Sequence, residues 1–120
     1  MSFTPAFEAF AGAFERGESQ CLTARLVADL ETPVSAFMKL RPAFSGPSIL
    51  LESVEGGAVR GRYCILGLAP DVIWRCAGGA ASIARNGGDF VPETLAPLQS
   101  LRALTAQSAL PLDEDMPPMA

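Results

Sequence analysis

Residues 72–85 read VIWRCAGGAASIAR, and this stretch decides the fold class. It contains two runs of strand-forming residues, 72–77 and 81–85, separated by Gly78-Gly79, and the second run ends at Asn86-Gly87. Gly-Gly and Asn-Gly favour tight hairpin turns, because these residues tolerate the positive φ angles that such turns require. The stretch therefore predicts two antiparallel strands joined by a hairpin.

A second hairpin is predicted upstream of the first. The apolar run Ile49-Leu50-Leu51 continues through residues 52–55 to Gly56-Gly57, and residues 62–66 form a further strand that ends at Gly67. A continuous apolar run of this kind predicts a buried strand. With an alternating segment at 21–27, the chain has about five predicted strands, mostly joined by hairpins. We predict a largely antiparallel sheet over residues 21–85.

Helices are predicted before, within and after this stretch of strands. In the helix over 4–16, Thr4 is the candidate N-cap, Pro5 the first helical residue and Gly17 the stop, while Phe7, Phe10 and Phe14 form a stripe that predicts core packing. Thr32-Pro33 repeats the start signal for a short helix that Pro42 ends.

The last predicted helix covers residues 97–107 and is expected to lie on the sheet. Its leucines recur every three residues, at 95, 98, 101 and 104. Residues 108–120 then form a proline-rich acidic tail. The whole pattern predicts a single α+β domain over residues 1–120, with an antiparallel sheet flanked by helices.

Composition indicates that this domain contacts something beyond itself. The chain has 120 residues, 49% of them hydrophobic, and a mean hydropathy of +0.27. A domain of this size buries only about two-thirds of the surface that its unfolded chain exposes. We therefore expect part of the apolar surface to meet a partner or a further part of the protein.

Several classes of function are disfavoured. A net charge of -4 offers no footprint for nucleic acid, and no run approaches the ~20 apolar residues of a membrane span or resembles a signal peptide, so we expect a cytoplasmic chain. The chain lacks histidine, the commonest general base and metal ligand. Its three cysteines, Cys21, Cys64 and Cys76, are widely spaced, which predicts buried, reduced thiols rather than a metal site.

Two patterns suggest binding rather than catalysis. Glu52-Ser53 follows the apolar strand directly, so a carboxylate and a hydroxyl could bind an ammonium group beside an apolar wall; the alternative is an ordinary strand end. Arg62 and Tyr63 could bind an anion or an aromatic ligand, or simply face solvent. The glycine-rich residues 56–61 lack the lysine of a phosphate-binding loop and favour a plain turn.

Four motifs taken together resemble the N-terminal region of anthranilate synthase component I, a chorismate-utilising enzyme. They are residues 29–36 (DLETPVSA), 50–55 (LLESVE), 61–67 (GRYCILG) and Trp74-Arg75, in the family's order and spacing. Residues 116–120 resemble the residues that precede a glycine- and aromatic-rich segment in proteins of this family. Cys64 is a departure, since relatives often carry serine at this position.

The resemblance implies a part in tryptophan synthesis, in which chorismate and ammonia from glutamine give anthranilate and pyruvate. It also implies a sandwich of antiparallel sheets, a glutamine amidotransferase component II as partner, and Mg²⁺ in the parent protein. The family's chorismate- and magnesium-binding residues lie downstream, so none is expected in these 120 residues. We therefore expect no catalytic residue here.

The same resemblance implies an effector site for L-tryptophan. Ser53 and Glu52 would lie near its amino group and Leu51 against its indole, while Arg62 and Tyr63 match a segment that lines bound tryptophan in aminodeoxychorismate synthases. Two alternatives remain open: the N-terminal region of aminodeoxychorismate synthase component I, from the folate pathway, and a stand-alone, non-catalytic antiparallel β module.

Overall fold

The structure, a computed structural model, describes residues 2–52, 63–111 and 116 of the chain. Its helices are α1 (Phe7–Glu15), α2 (Pro33–Leu40) and α3 (Pro97–Ser108). Its strands are β1 (Phe3–Thr4), β2 (Thr23–Ala24), β3 (Ile49–Leu51), β4 (Ile65–Gly67), β5 (Val72–Ala77), β6 (Ala80–Arg85) and β7 (Val91–Pro92). The chain divides into two compact units, Leu30–Gln107 and the segments Met1–Asp29 with Ser108–Ala120.

In the unit that contains α1, the helix ends as predicted but starts later. Gly17 has φ +69°, its N–H donates to the Phe14 carbonyl, and the N–H of Glu18 donates to the Ala13 carbonyl, both at 3.0 Å. This is the Schellman arrangement that glycine favours after a helix. Thr4 does not cap α1, because β1 pairs it with Thr23, and the helix predicted over 4–16 begins at Phe7.

Burial in this unit differs from the prediction. Phe7 is 81% exposed and Phe14 is 72% exposed, so the predicted core stripe is wrong. The strand predicted over 21–27 is reduced to Thr23–Ala24, because its partner β1 supplies only two residues for pairing. Exposed aromatic side chains at helical spacing form an apolar helix face that nothing in the described unit covers.

In the larger unit, α2 begins as the sequence predicts. The N–H of Ser35 donates to Thr32 Oγ1 at 3.1 Å, and the N–H of Thr32 donates to Ser35 Oγ at 2.9 Å. This reciprocal pair satisfies two helix N–H groups, and Pro33 occupies the first turn, where no N–H is needed. The helix ends at Leu40, and a 3-10 turn, Arg41–Ala43, follows around Pro42.

The strands form antiparallel pairs, which confirms the α+β prediction. β3 pairs with β4, and β5 pairs with β6 through Gly78 and Gly79, at φ +59° and +78°. The turn after β6 has the same form, since Asn86 and Gly87 have positive φ and the N–H of Gly88 donates to the Arg85 carbonyl at 2.9 Å.

The described strands do not form the single predicted sheet. β1–β2 and β3–β4 are two-stranded, and β5–β6–β7 is three-stranded. β7 was not predicted, and Pro92 suits its edge position because an edge strand tolerates a missing N–H. The predicted sandwich concerns the parent protein and stays a prediction.

The most buried residue of helix α3 is a serine, not one of its leucines. Ser100 is 1% exposed, whereas Leu98 is 67% and Leu101 is 38% exposed. Trp74 Nε1 on β5 donates to Ser100 Oγ at 3.1 Å, and Ser100 Oγ donates to Glu93 Oε2 at 2.9 Å. Because 3.6 residues make one turn, a leucine every three residues drifts around the helix, and the face through Ser100 is the buried one.

The core of the described residues is small: Ala81, Ile83 and Ala84 are the buried apolar residues. Cys21, Cys64 and Cys76 are free and exposed, so their predicted burial is wrong.

Within the described ranges, no helix combines the length and hydropathy that a membrane crossing needs. Of the predicted tail, residues 112–115 and 117–120 lie outside the described residues.

Replacing Ser100 by alanine is expected to destabilise the protein by about 1–3 kcal/mol, because Trp74 Nε1 and the Glu93 carboxylate would lose their buried partner. Urea unfolding measures this loss. Thr105→Ala is the matched control on α3, since the Thr105 hydroxyl donates to the Leu101 carbonyl on an exposed surface and its loss is expected to cost about 0.5 kcal/mol or less. Equal effects of the two changes would contradict the role of Ser100.

Glu31 is expected to make stability depend on pH. Hydrogen bonds from Lys39 and then Ser35 lower the pKa of its carboxyl. The folded state therefore favours the ionised form, and this stabilisation is complete above the usual carboxyl pKa and is lost as pH falls through the lowered folded pKa. The free energy of unfolding, measured across this pH window, should fall less steeply toward acid in Glu31→Gln than in the wild type. Parallel curves would contradict this.

Candidate functional site

The candidate site lies at one end of the β3–β4 pair. Glu52 follows the last residue of β3, and Tyr63 and Cys64 precede the first residue of β4. Leu51 pairs with Ile65, and because the strands are antiparallel, Glu52 and Tyr63 lie at the same end. Ser53 and Arg62, the other predicted site residues, lie outside the described residues.

This end of the sheet is open rather than buried. Leu51 is 56% exposed and Ile49 is 53% exposed, so the predicted buried strand is wrong. Glu52 is exposed and Tyr63 is half-buried. Successive strand residues alternate between faces, so Ile49 and Leu51 share a face while Leu50 lies on the other. The site therefore combines an accessible apolar strip with a carboxylate directly beyond it.

Gly67, which the sequence predicts as a strand end, allows the two strands of this site to pack closely. Gly67 belongs to β4 and pairs with Ile49. A Cβ at this position would lie 2.8 Å from Ile49 Cγ1. The signal was a glycine within an apolar strand pattern, which often marks a close approach. Gly67 thus leaves room for the Ile49 side chain on the strand that carries Leu51.

The arrangement suits binding of a cationic, partly apolar ligand. A carboxylate is an acceptor for ammonium N–H groups, and exposed aliphatic side chains contact an aromatic ring without needing polar partners. Among the described residues, no group of three or more His, Cys, Asp or Glu side chains could hold a metal ion. The described residues therefore do not fit Mg²⁺.

The Trp74-Arg75 motif serves the three-stranded sheet instead. Trp74 donates its hydrogen bond to Ser100. The Arg75 guanidinium lies 3.7 Å from the centre of the Phe90 ring, and Arg75 Nε donates to Ser82 Oγ at 3.2 Å. These are a helix-to-sheet hydrogen bond and a cation–π contact across the sheet. Both side chains thus have structural partners, and the candidate ligand groups are those at the β3–β4 end.

The sequence is similar to several curated proteins named anthranilate synthase component 1. It is 43% identical over 118 residues to the protein of Cereibacter sphaeroides, covering 95% of this chain and 23% of that relative. It is 34% identical over 86 residues to the Acinetobacter calcoaceticus protein, covering 71% and 17%, and 41% identical over 86 residues to the Synechocystis protein, covering 70% and 16%.

No family model matches the chain. No solved structure matches it either. The chain spans less than a quarter of the length of these relatives, while they match up to 95% of its own length. Over 70% or more of its own length, the chain is therefore similar in sequence to a part of anthranilate synthase component 1.

Proposed function

We propose that this chain is the N-terminal, tryptophan-binding part of an anthranilate synthase component 1, here called the parent enzyme. The parent enzyme would form anthranilate and pyruvate from chorismate and glutamine-derived ammonia. The observation that carries the proposal is the sequence similarity over 95% of the chain, combined with a strand that ends at the accessible Leu51 and is followed by the exposed Glu52. These are the residues that the resemblance assigns to the effector.

The geometry supports a division of roles among the site residues. The Glu52 carboxylate would accept hydrogen bonds from the tryptophan ammonium, and Leu51 would contact the indole. Tyr63 lies at the same end of the sheet and would line the site together with Arg62, and Ser53 would bind the amino group through its hydroxyl. With one side open in the described residues, the rest of the pocket would come from elsewhere in the parent enzyme.

Inhibition by tryptophan requires more than binding. An effector lowers activity only if it binds an inactive state of the enzyme more tightly than an active one. We propose that these 120 residues supply the effector contacts and no catalytic group, and that chorismate and Mg²⁺ bind to the remainder of the parent enzyme. Component II, a glutamine amidotransferase, would supply the ammonia. The lack of histidine in the chain supports this division.

The parent enzyme, supplied with chorismate, ammonia and Mg²⁺, tests the proposal when tryptophan is titrated and anthranilate is followed by fluorescence. We expect anthranilate formation that falls saturably as tryptophan rises. Aminodeoxychorismate as the product would instead favour the sister enzyme of the folate pathway. Anthranilate formation that is insensitive to tryptophan would remove the effector role.

A further inference from the structure

A second surface of the larger unit is built to be covered. A groove of about 420 Å³, here called the α2 groove, lies along the end of α2 and the turn that follows it. Its lining residues are Phe37, Met38, Arg41, Pro42, Phe44 and Gly46. Met38 is 69% exposed and Phe44 is 48% exposed. Large apolar side chains grouped around a concavity favour an occupant that removes them from water.

The groove has one charged group, Arg41. Lys39, the neighbouring cation on α2, is paired with Glu31. Arg41 has no ion-pair partner among the described residues, and its guanidinium can bind a carboxylate through two parallel hydrogen bonds. The groove therefore matches an apolar occupant that carries an acidic group.

The apolar surface extends beyond the groove. Val34, on the first turn of α2, is 46% exposed, and Ile49 on β3, the strand that α2 contacts, is 53% exposed. A small ligand could fill the groove but would leave these neighbouring side chains in water. The extent of the surface favours a polypeptide as the occupant.

We propose that the α2 groove binds an apolar segment bearing an Asp or Glu from the part of the parent enzyme outside these 120 residues. The proposal rests on the proposed function, and the length of the relatives supports it, since this chain spans 23% or less of each of the three compared. The contact would cover α2 beside β3, the strand that carries Leu51. It would thereby hold the remainder of the enzyme close to the candidate tryptophan site.

Hydroxyl-radical footprinting of the complete parent enzyme tests this, with mass spectrometry reading the labelling rates of Met38 and Phe44. We expect both to be labelled several-fold more slowly in the native enzyme than in the same enzyme in urea, at every protein concentration. Equal native and urea rates would overturn the proposal. Protection that requires high protein concentration would indicate a second copy instead, and protection that requires added benzoate would indicate a small aromatic carboxylate.

A pair of variants tests the carboxylate. Arg41→Gln should raise native labelling of Met38 toward the urea rate, whereas Arg102→Gln, on exposed α3 surface outside the groove, should leave it unchanged. Equal behaviour of the two variants would overturn the ion pair. Anthranilate formation is measured on the same samples, so an active enzyme with unprotected Met38 contradicts the groove alone, and an inactive enzyme with protected Met38 contradicts the proposed function alone.

Discussion

The parent enzyme with Ser53→Phe is expected to need about tenfold to a hundredfold more tryptophan for half-inhibition than the wild type, with an unchanged uninhibited rate. Losing a hydrogen bond to a charged ammonium costs on the order of 1–3 kcal/mol, and the phenyl ring would also take space from the indole. Because Ser53 is proposed to contact the effector and not chorismate, the change should weaken inhibition without slowing turnover. Chorismate turnover across a tryptophan titration measures both quantities.

Two further variants show whether the effect belongs to the site. Ser53→Ala removes the hydroxyl without adding bulk and should shift the inhibition curve in the same direction by a smaller factor. Ser19→Phe places the same ring at an exposed serine in the loop after α1, outside both the candidate site and the α2 groove, and should leave inhibition unchanged. An ordinary strand serine would behave differently, since Ser53→Phe would then lower stability and activity together. Unchanged inhibition in a normally active Ser53→Phe enzyme would remove Ser53 from the site.

Residues 1–120 alone are expected to form no anthranilate from chorismate with either ammonia or glutamine. The chain has no histidine, and the residues that bind chorismate are proposed to lie elsewhere in the parent enzyme. Purified chain is assayed by anthranilate fluorescence beside the parent enzyme at equal concentration. Fluorescence above the blank from the chain would contradict the division of roles.

The same preparation should show the exposed apolar surface directly. Among the described residues of the smaller unit, the exposed large apolar ones are Phe3, Phe7, Phe14, Leu22, Leu26 and Val27. We expect the isolated chain to bind a hydrophobic dye and to self-associate, because such surfaces are normally covered in a stable monomer. A monodisperse monomer by light scattering, with a sharp high-temperature melt and no dye binding, would contradict this.

Local signals in the sequence predicted the elements well. The start of α2 depends on Thr32 and Ser35, whose backbone N–H groups donate to each other's side-chain oxygens, and on Pro33 in the first turn. The β5–β6 turn depends on Gly78 and Gly79, whose positive φ few other residues adopt at low cost. The two-residue strands β1 and β7 were not predicted, because two residues are too few to show the apolar–polar alternation of a strand.

Burial was predicted less well, because it depends on what packs against each face. The spacing of Phe7 and Phe14 predicted a helix with an apolar face, and the helix forms, but nothing in the described residues of its unit covers that face. Leu98 and Leu101 are exposed for a related reason, since Ser100 gives α3 its hydrogen bond to Trp74 on β5. At the candidate site, the β3–β4 pairing brings Leu51, Glu52 and Tyr63 to one end of the two strands, while Ser53 and Arg62 lie outside the described residues. The part of these residues in effector binding stays a prediction.

Amide hydrogen exchange of the parent enzyme, with and without saturating tryptophan, locates the effector directly. Bound ligand stabilises the backbone that it contacts against local opening, so exchange there slows. We predict slower exchange in peptides that span residues 49–53 and 62–67 when tryptophan is present. Unchanged exchange in both peptides, with protection appearing only in other parts of the enzyme, would contradict a tryptophan site in these 120 residues.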